Sequence, residues 1–317
     1  MRVFVAGASG AIGIRLVSQL AERGHDVIGT YRSPGHADRI RALGAEPVAL
    51  DLLDARAVRQ AVLAARPEAI IHQATALAGV RFTRSLDKGF GPTNRLRTEG
   101  TDALLAAARE AGVARLVGQS FACYRYAREG GLVKTETDRL DPAPPASASR
   151  TSAAMTHVDE AFTAAGGIAL RYGGFYGDAS DGLIGPVRKR QFPVIGDGGG
   201  IMSFIHLDDA AAATVMAVEH DGSGIFNVTD DDPAPMREWL PAMARALGAR
   251  PPRHVPTWLA RLIAGDSLPM MTQARGASST KAKKELGWTP RYPSWRDGFS
   301  AAYGPLAGTA RAEVLGA

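Results

Sequence analysis

One cysteine, Cys123, stands alone in a chain of 317 residues. A lone thiol cannot close an intrachain disulfide, so a reducing, cytoplasmic compartment is the natural expectation. No run of about 18 apolar residues occurs, which argues against a membrane span. The start, MRVFVAGASG, lacks a basic segment followed by a long apolar run, so no signal peptide is expected. Zinc-spaced Cys/His clusters, calcium-loop patterns, G-x-S-x-G elbows and Walker loops are also missing, and no metal is expected. No fixed internal period appears. The net charge is +5, but the arginines are scattered rather than striped. Nucleic acid is therefore a poor candidate partner, and a surface that tolerates phosphorylated small molecules is the simpler reading. With 45% hydrophobic and 22% charged residues, the composition suits one large or two modest cores.

What is present is an alternation. VFVAGA (3–8) reads as a buried parallel strand. A helix follows with Ile12, Leu16 and Leu20 on one face, and Gly24 stops it. Further strands are expected at 25–32, 46–54, 69–75, 114–121 and 167–177. Helical stretches fall between them: ARAVRQAVLAA before Pro67, and Thr93 to Gly112. Strands alternating with helices imply an α/β fold with a doubly wound parallel sheet. Ligands of such sheets sit at the carboxyl ends of the strands. Those ends carry Gly7, Arg32, Asp51, Thr75 and Ser120. After Gly177 the rhythm breaks into glycine, proline and charge. The expected organisation is a dinucleotide-binding unit of residues 1–177 and 205–229, interleaved with a smaller substrate lobe of 178–204 and 230–317.

GASGAIG (7–13) follows the first strand and opens the first helix. Gly7 permits a tight turn, Gly10 lets backbone approach a pyrophosphate, and Gly13 allows close helix–strand packing. The helix N-terminus adds free N–H groups for the phosphates. A dinucleotide without a 2′-phosphate usually meets an acid at the end of the second strand. Here that end reads Thr30, Tyr31, Arg32. Arg32, assisted by His36 or Arg39, suits a 2′-phosphate, so NADP(H) is preferred and NAD(H) is the alternative. Asp51 could accept from an adenine amine with Leu52 beside it, or could cap the helix beginning near Asp54.

Seven segments, in order, resemble landmarks of the extended short-chain dehydrogenase/reductase superfamily, the branch of NAD(P)-dependent epimerases, dehydratases and reductases. They are GASGAIG, DLLD, IIHQATA, LRYGGFYG, SFIHLDDAA, GIFNVTDDDPAPMREW and KAKKELGWTPRY. The resemblance implies a Rossmann fold, a small-molecule substrate and a homodimer. It also implies cofactor contacts from Gly7, Ser9, Gly10, Ala11, Ile12, Gly13, Arg32, Asp51, Leu52, Ala74, Thr75 and Tyr172.

The chain departs from that family at one helix. Members couple hydride transfer to proton transfer through a Tyr-x-x-x-Lys pair, in which the lysine makes the phenol a usable base and holds the cofactor's ribose. In ASRTSAAMTHVDEAF (148–162) the two places fall on Ser152 and Thr156, aligned by Glu160. No tyrosine lies between Tyr126 and Tyr172, and no lysine between Lys134 and Lys189. Tyr124/Arg128 and Tyr292/Arg296 share the four-residue spacing but lie on the wrong segments. Candidate substitutes are Ser120, Tyr124 and His157, with Tyr126 and Lys134 nearby, although one alignment puts the catalytic serine's place on Phe121. Arg188, Lys189 and Arg190 are candidates for a substrate diphosphate or for a solvated charge run. Asp208 and Asp209 read as first-turn acids of the helix after His206.

The expectation is an NADP(H)-dependent oxidoreductase acting at a ketone or secondary alcohol with a non-standard proton relay. A nucleotide-sugar epimerase or dehydratase, and a catalytically silent NADP sensor, are the alternatives.

Overall fold

The structure is a computed structural model, and it describes residues 1–77, 85–178 and 181–315. Positions 179 and 180 of the expected irregular stretch lie outside the described residues.

Seven parallel strands form the central sheet: β1 (Arg2–Ala6), β2 (Asp26–Tyr31), β3 (Ala45–Ala49), β4 (Ala69–His72), β5 (Arg115–Phe121), β6 (Ile168–Tyr172) and β7 (Gly224–Val228). Their order is β7-β6-β5-β4-β1-β2-β3. The expected six are there, and β7 joins them as the edge beside β6, paired from Gly224↔Ile168 to Val228↔Tyr172. The expected sixth strand, 167–177, breaks at Gly173. Its second piece, Gly174–Tyr176, pairs with Phe204–His206 instead.

Both faces of the sheet are covered, which is why β1 is apolar at successive positions rather than alternating. Val3 and Val5 pack with Leu16, Leu20, Ala213 and Val218 from α1 (Ala11–Glu22) and a later helix, Leu207–Glu219. Phe4 and Ala6 pack on the other face with Val58, Val62, Leu104 and Phe162. On the β2–β3 flank lies α2 (Ala37–Ala42). The second face is built by α3 (Ala55–Ala65), α4 (Leu86–Arg95), α5 (Thr101–Glu110) and α6 (Ser149–Ala164). Asp54 begins α3 by accepting from the Ala57 N–H at 3.0 Å. The expected helix from Thr93 is broken: α4 starts earlier, and a π-helical turn, Leu96–Gly100, joins it to α5. Such turns displace a side chain from the regular helical path and recur at functional sites.

Beyond Gly177 the short α7 (Ile184–Arg188) leads to the helix Leu207–Glu219, now α8, and then to α9 (Met236–Ala246). Aromatic residues hold this part together. Tyr176, Phe204, Trp239, Trp295, Phe299 and Tyr303 form one cluster. Tyr176 and Phe299 meet edge to face at 5.2 Å. The tail is tied back to the sheet side. Asp209 at the start of α8 accepts from the N–H groups of Arg291 and Tyr292 at 2.8 and 2.9 Å, and Tyr292 stacks on His206. The neighbouring Asp208 pairs with Arg15 of α1 at 2.6 Å.

Candidate active site

The strand order reverses at β1. The chain runs from β1 to β2 and β3 on one side, while β4 lies on the other. A crevice at the carboxyl ends of strands forms at such a switch point. Gly7 and Ala74, the residues leaving β1 and β4, touch there. A Cβ on Gly7 would lie 2.6 Å from the Ala74 backbone, and Gly7 holds φ at +90°. The Gly7 N–H donates to Thr30 Oγ1 at 3.0 Å. Gly13 is pressed more tightly still, since a Cβ there would lie 2.2 Å from the Gly7 carbonyl oxygen. Gly10 is the exception. A Cβ on it would meet only the Gly7 oxygen, at 3.4 Å, so its outer side is open. No side chain caps α1, whose first N–H groups face the same space. An open glycine at an uncapped helix start is a cradle for a pyrophosphate.

Around this cradle the expected residues divide. Ser9, Gly10 and Ala11 are at least partly exposed, as are Ala74 and Thr75. Ile12 and Leu52 belong to the core with Gly13, so they have only backbone to offer a ligand. Arg32 is exposed just beyond β2, and no hydrogen bond or ion pair engages it among the described residues. Asp51 is exposed and accepts from the Leu53 N–H at 3.0 Å; capping α3 falls to Asp54. Tyr172 is a correction. It is fully buried, its hydroxyl taking a hydrogen bond from Gln73 at 2.9 Å and lying 2.6 Å from Thr214, so no part of the ring or hydroxyl faces a ligand.

The α6 face, where the proton donor is expected, carries a different set of groups. Ser152, Thr156 and Asp159 share one face of α6 by their spacing of four and three. Ser152 and Thr156 are half-buried, and Asp159 is buried below them. Arg125, leaving the end of β5, reaches under this face. Its Nη1 donates to Ser120 Oγ at 3.0 Å and to the Phe121 carbonyl at 3.1 Å. Its Nη2 donates to Thr156 Oγ1 at 3.0 Å and lies 2.9 Å from Asp159 Oδ2. Arg171 of β6 reaches the same carboxylate oxygen at 2.8 Å. Arg97, on the π-helical turn, completes the group. It is 5% exposed, and its Nε and Nη1 are buried without a partner.

Three guanidiniums thus surround one carboxylate. Burial lowers Arg125 below the usual guanidinium range, with Asp159 opposing the shift. Burial lowers Arg97 to about 10, and the like charge of Arg125 adds to it. For Arg171 burial also pulls downward, but the Asp159 carboxylate and Tyr126 outweigh it and the net direction is up. Sequence reasoning missed this cluster, although an arginine inside the apolar strand IALRY is itself a signal that a buried carboxylate must exist elsewhere.

The proposed substitutes for the tyrosine do not converge. Ser120 is fully buried and its hydroxyl, which donates to the Met155 carbonyl at 3.3 Å, is occupied by Arg125 as well. His157 points to the outside of α6, where Nε2 lies 2.8 Å from Asp102 of α5. Tyr124 packs into the aromatic cluster of the C-terminal part, and burial pushes its phenol above the ordinary value. Tyr126 is tied between Arg171 and Asn227, to which it donates at 2.7 Å. Lys134 donates to the Glu129 carbonyl at 2.7 Å. Arg188 and Arg190 also hold backbone carbonyls, of Leu306 and Pro251. What lies open at the end of β5 is Phe121, half-buried, 6.3 Å from the half-buried Phe175. Among the described residues no cluster could hold a metal ion.

A doubly wound sheet with a pyrophosphate cradle at its switch point defines a nicotinamide-dinucleotide enzyme, an oxidoreductase or epimerase. The chain belongs to the NAD dependent epimerase/dehydratase family, whose model matches residues 3–229. A 3-diazoavenalumate denitrifying reductase from a Streptomyces species is 44% identical, over 94% of this chain and 99% of its own. UDP-glucose 4-epimerase from Mycolicibacterium smegmatis is 30% identical, covering 92% of this chain and 94% of that one. The solved Thermus thermophilus UDP-glucose 4-epimerase in complex with NAD superposes with a TM-score of 0.71 at 26% identity, covering 97% and 99% of the two chains. No helix among the described residues is long and apolar enough to cross a membrane.

Proposed function

We propose that this chain is an NADPH-dependent reductase whose substrate accepts hydride without needing a proton from the protein, and that the substrate is a diazo compound which loses dinitrogen. One observation carries the reading. At the two places where the family keeps its phenol and ammonium stand Ser152 and Thr156, and the Thr156 hydroxyl is occupied by Arg125. Ketone reduction and sugar epimerisation both generate or consume an oxygen-bound proton, and no side chain on this face is a competent donor. When bound, the reduced nicotinamide would supply a hydride to an aromatic carbon of diazonium character, where it takes the place of dinitrogen, the C–N bonding pair leaving with N2 and the ring keeping its hydrogen with no carbanion to protonate. Such an exchange needs no general acid.

The chain's own residues bind and exclude. Gly7, Gly10, Ser9 and the start of α1 would hold the pyrophosphate. Phe121 and Phe175, two rings inclined to one another, offer an apolar wall where a polar donor would otherwise stand, which suits an aromatic substrate and keeps water off the reacting carbon. The 44% relative is named for reduction of a diazo substrate with denitrification, and that name supports the same chemistry here. The UDP-sugar reading stands second, because Arg188 and Arg190 are already engaged on backbone carbonyls. The test offers the purified protein NADPH with a diazo-substituted aromatic acid, with simple ketones and with UDP-glucose. Loss of reduced-nicotinamide absorbance together with N2 release is expected only from the first. Turnover of a ketone or of UDP-glucose, with the diazo acid untouched, overturns the reading.

For the cofactor, the exposed Arg32 with no engaged partner supports NADP(H). Arg32→Ala should weaken NADPH by tenfold or more while NADH changes little, on the order of one lost charge-assisted contact; equal losses would remove the preference. We assign residues 1–177 and 205–229 to cofactor binding, and 178–204 and 230–317 to the substrate lobe. A cytoplasmic homodimer completes the proposal, checked by sedimentation.

A further inference from the structure

The cluster beneath α6 is not neutral. Arg97, Arg125 and Arg171 bring three positive charges against the single carboxylate of Asp159, which pairs with Arg125 and Arg171 and only attracts Arg97 from further off. Arg125 and Arg171 are spent on that carboxylate and on Ser120, Thr156 and Tyr126. Arg97 is different in kind. It is 5% exposed, yet two of its three nitrogens are buried with nothing to donate to. A buried guanidinium left like this costs several kcal/mol unless something arrives to pair with it. Nor does its position follow from helix packing alone, because the π-helical turn Leu96–Gly100 sets it off the regular path of α4 and α5. Asp159 attracts Arg97 from a distance, but among the described residues no carboxylate forms a salt bridge with it. Nearby, His72 is occupied by the Leu96 carbonyl at 3.1 Å and is held neutral by burial.

We infer that Arg97 is the substrate-anchoring residue: it pairs with a carboxylate of the bound substrate, and Arg125, pinned by Ser120, Thr156 and Asp159, is a fixed second charge behind it. The inference rests on the proposed function only in placing the substrate at this edge of the sheet. It adds which residue reads the substrate's acid group, and that the cation the family keeps on α6 is supplied here from two other elements. Both guanidiniums are held away from water, so the attraction is less screened than at a surface.

The probe is 4-hydroxycinnamate, a planar aromatic acid without a diazo group, titrated calorimetrically into the full chain saturated with NADP+; its methyl ester is the neutral control. The acid should bind at least about tenfold more tightly than the ester, the size of one hydrogen-bonded charge contact. Arg97→Gln should bring the acid down to the ester's affinity while leaving NADP+ affinity within about twofold; a role confined to packing would weaken acid and ester alike. Arg97→Lys should keep part of the preference. Equal binding of acid and ester by the unaltered protein overturns the inference and leaves Arg97 to buried water, as does a preference that survives Arg97→Gln. If Arg97→Gln no longer takes up NADP+, the unaltered protein and Arg97→Lys decide the matter. N2 release from a diazo acid is a separate readout, so either proposal can fail without the other.

Discussion

The two sides of the crevice obey different rules. On the β1–α1 side the backbone does the work, and each glycine is fixed by what a side chain would strike: Ala74 for Gly7, the Gly7 carbonyl for Gly13, almost nothing for Gly10. On the α6 side the work falls to long side chains: Arg125 and Arg171 converge from the end of β5 and from β6 on one carboxylate. A backbone cradle has no room for a side chain at Gly7 or Gly13 and so leaves a spelling in the sequence. A side-chain cluster can be assembled from many directions, so it leaves no such spelling.

The sharpest way to break the comparison is Gly13→Ala. A Cβ 2.2 Å from the Gly7 oxygen cannot be accommodated without moving β1 or α1. Thermal and denaturant unfolding should show a loss of about 4 kcal/mol or more, with nicotinamide-nucleotide binding gone. A mild phenotype would mean that the cradle is looser than its geometry. Next is Asp159→Asn, which strips the shared carboxylate from Arg125 and Arg171 and should cost about 3–5 kcal/mol. Arg97→Met, by contrast, removes a cation with no partner and should leave the unliganded protein as stable as before or more so. If both variants lose the same stability, Arg97 has a structural partner after all.

His72 gives a smaller, pH-dependent effect. Burial lowers its imidazole from 6.5 to about 4. The folded state keeps it neutral while the unfolded chain protonates it. Its contribution is therefore complete above pH 6.5 and is lost as pH falls toward 4. The stability difference between the native chain and His72→Gln should shift across that window by up to about 3 kcal/mol. A flat difference would place His72 in water. The smallest effect belongs to His157→Ala, which deletes one surface pair with Asp102. It should change stability by less than about 1 kcal/mol and leave turnover within twofold. A severe loss of rate would return His157 to the proton relay.

These contrasts explain what could be read beforehand. The alternation of strands and helices, the glycine turn and the vacancy at Ser152 and Thr156 were all legible, because each is local in the chain. β7 was harder, since Gly224–Val228 becomes a sheet strand only by lying against β6. The arginine cluster is not legible in the sequence, because its partners are remote: Arg125 meets Thr156 across 31 positions. His157 and Tyr124 have suitable chemistry, but packing turns one toward Asp102 and the other into the aromatic cluster. Tyr172 shows the same limit. A polar ring at the end of a buried strand faces inward, to Gln73 and Thr214. Arg171 was the clue that went unused, for a charge in the middle of a buried strand announces its opposite number.

The clasp at Asp209 gives the distant tail a say in the opening turn of the fold. Arg291 and Tyr292 hang on one carboxylate, its neighbour Asp208 grips Arg15, and Arg15 sits one helical turn from the phosphate cradle. Occupation of the cradle and anchoring of the tail are thus mechanically joined, and a protease probing the final helices would sense from afar whether the nucleotide is in place.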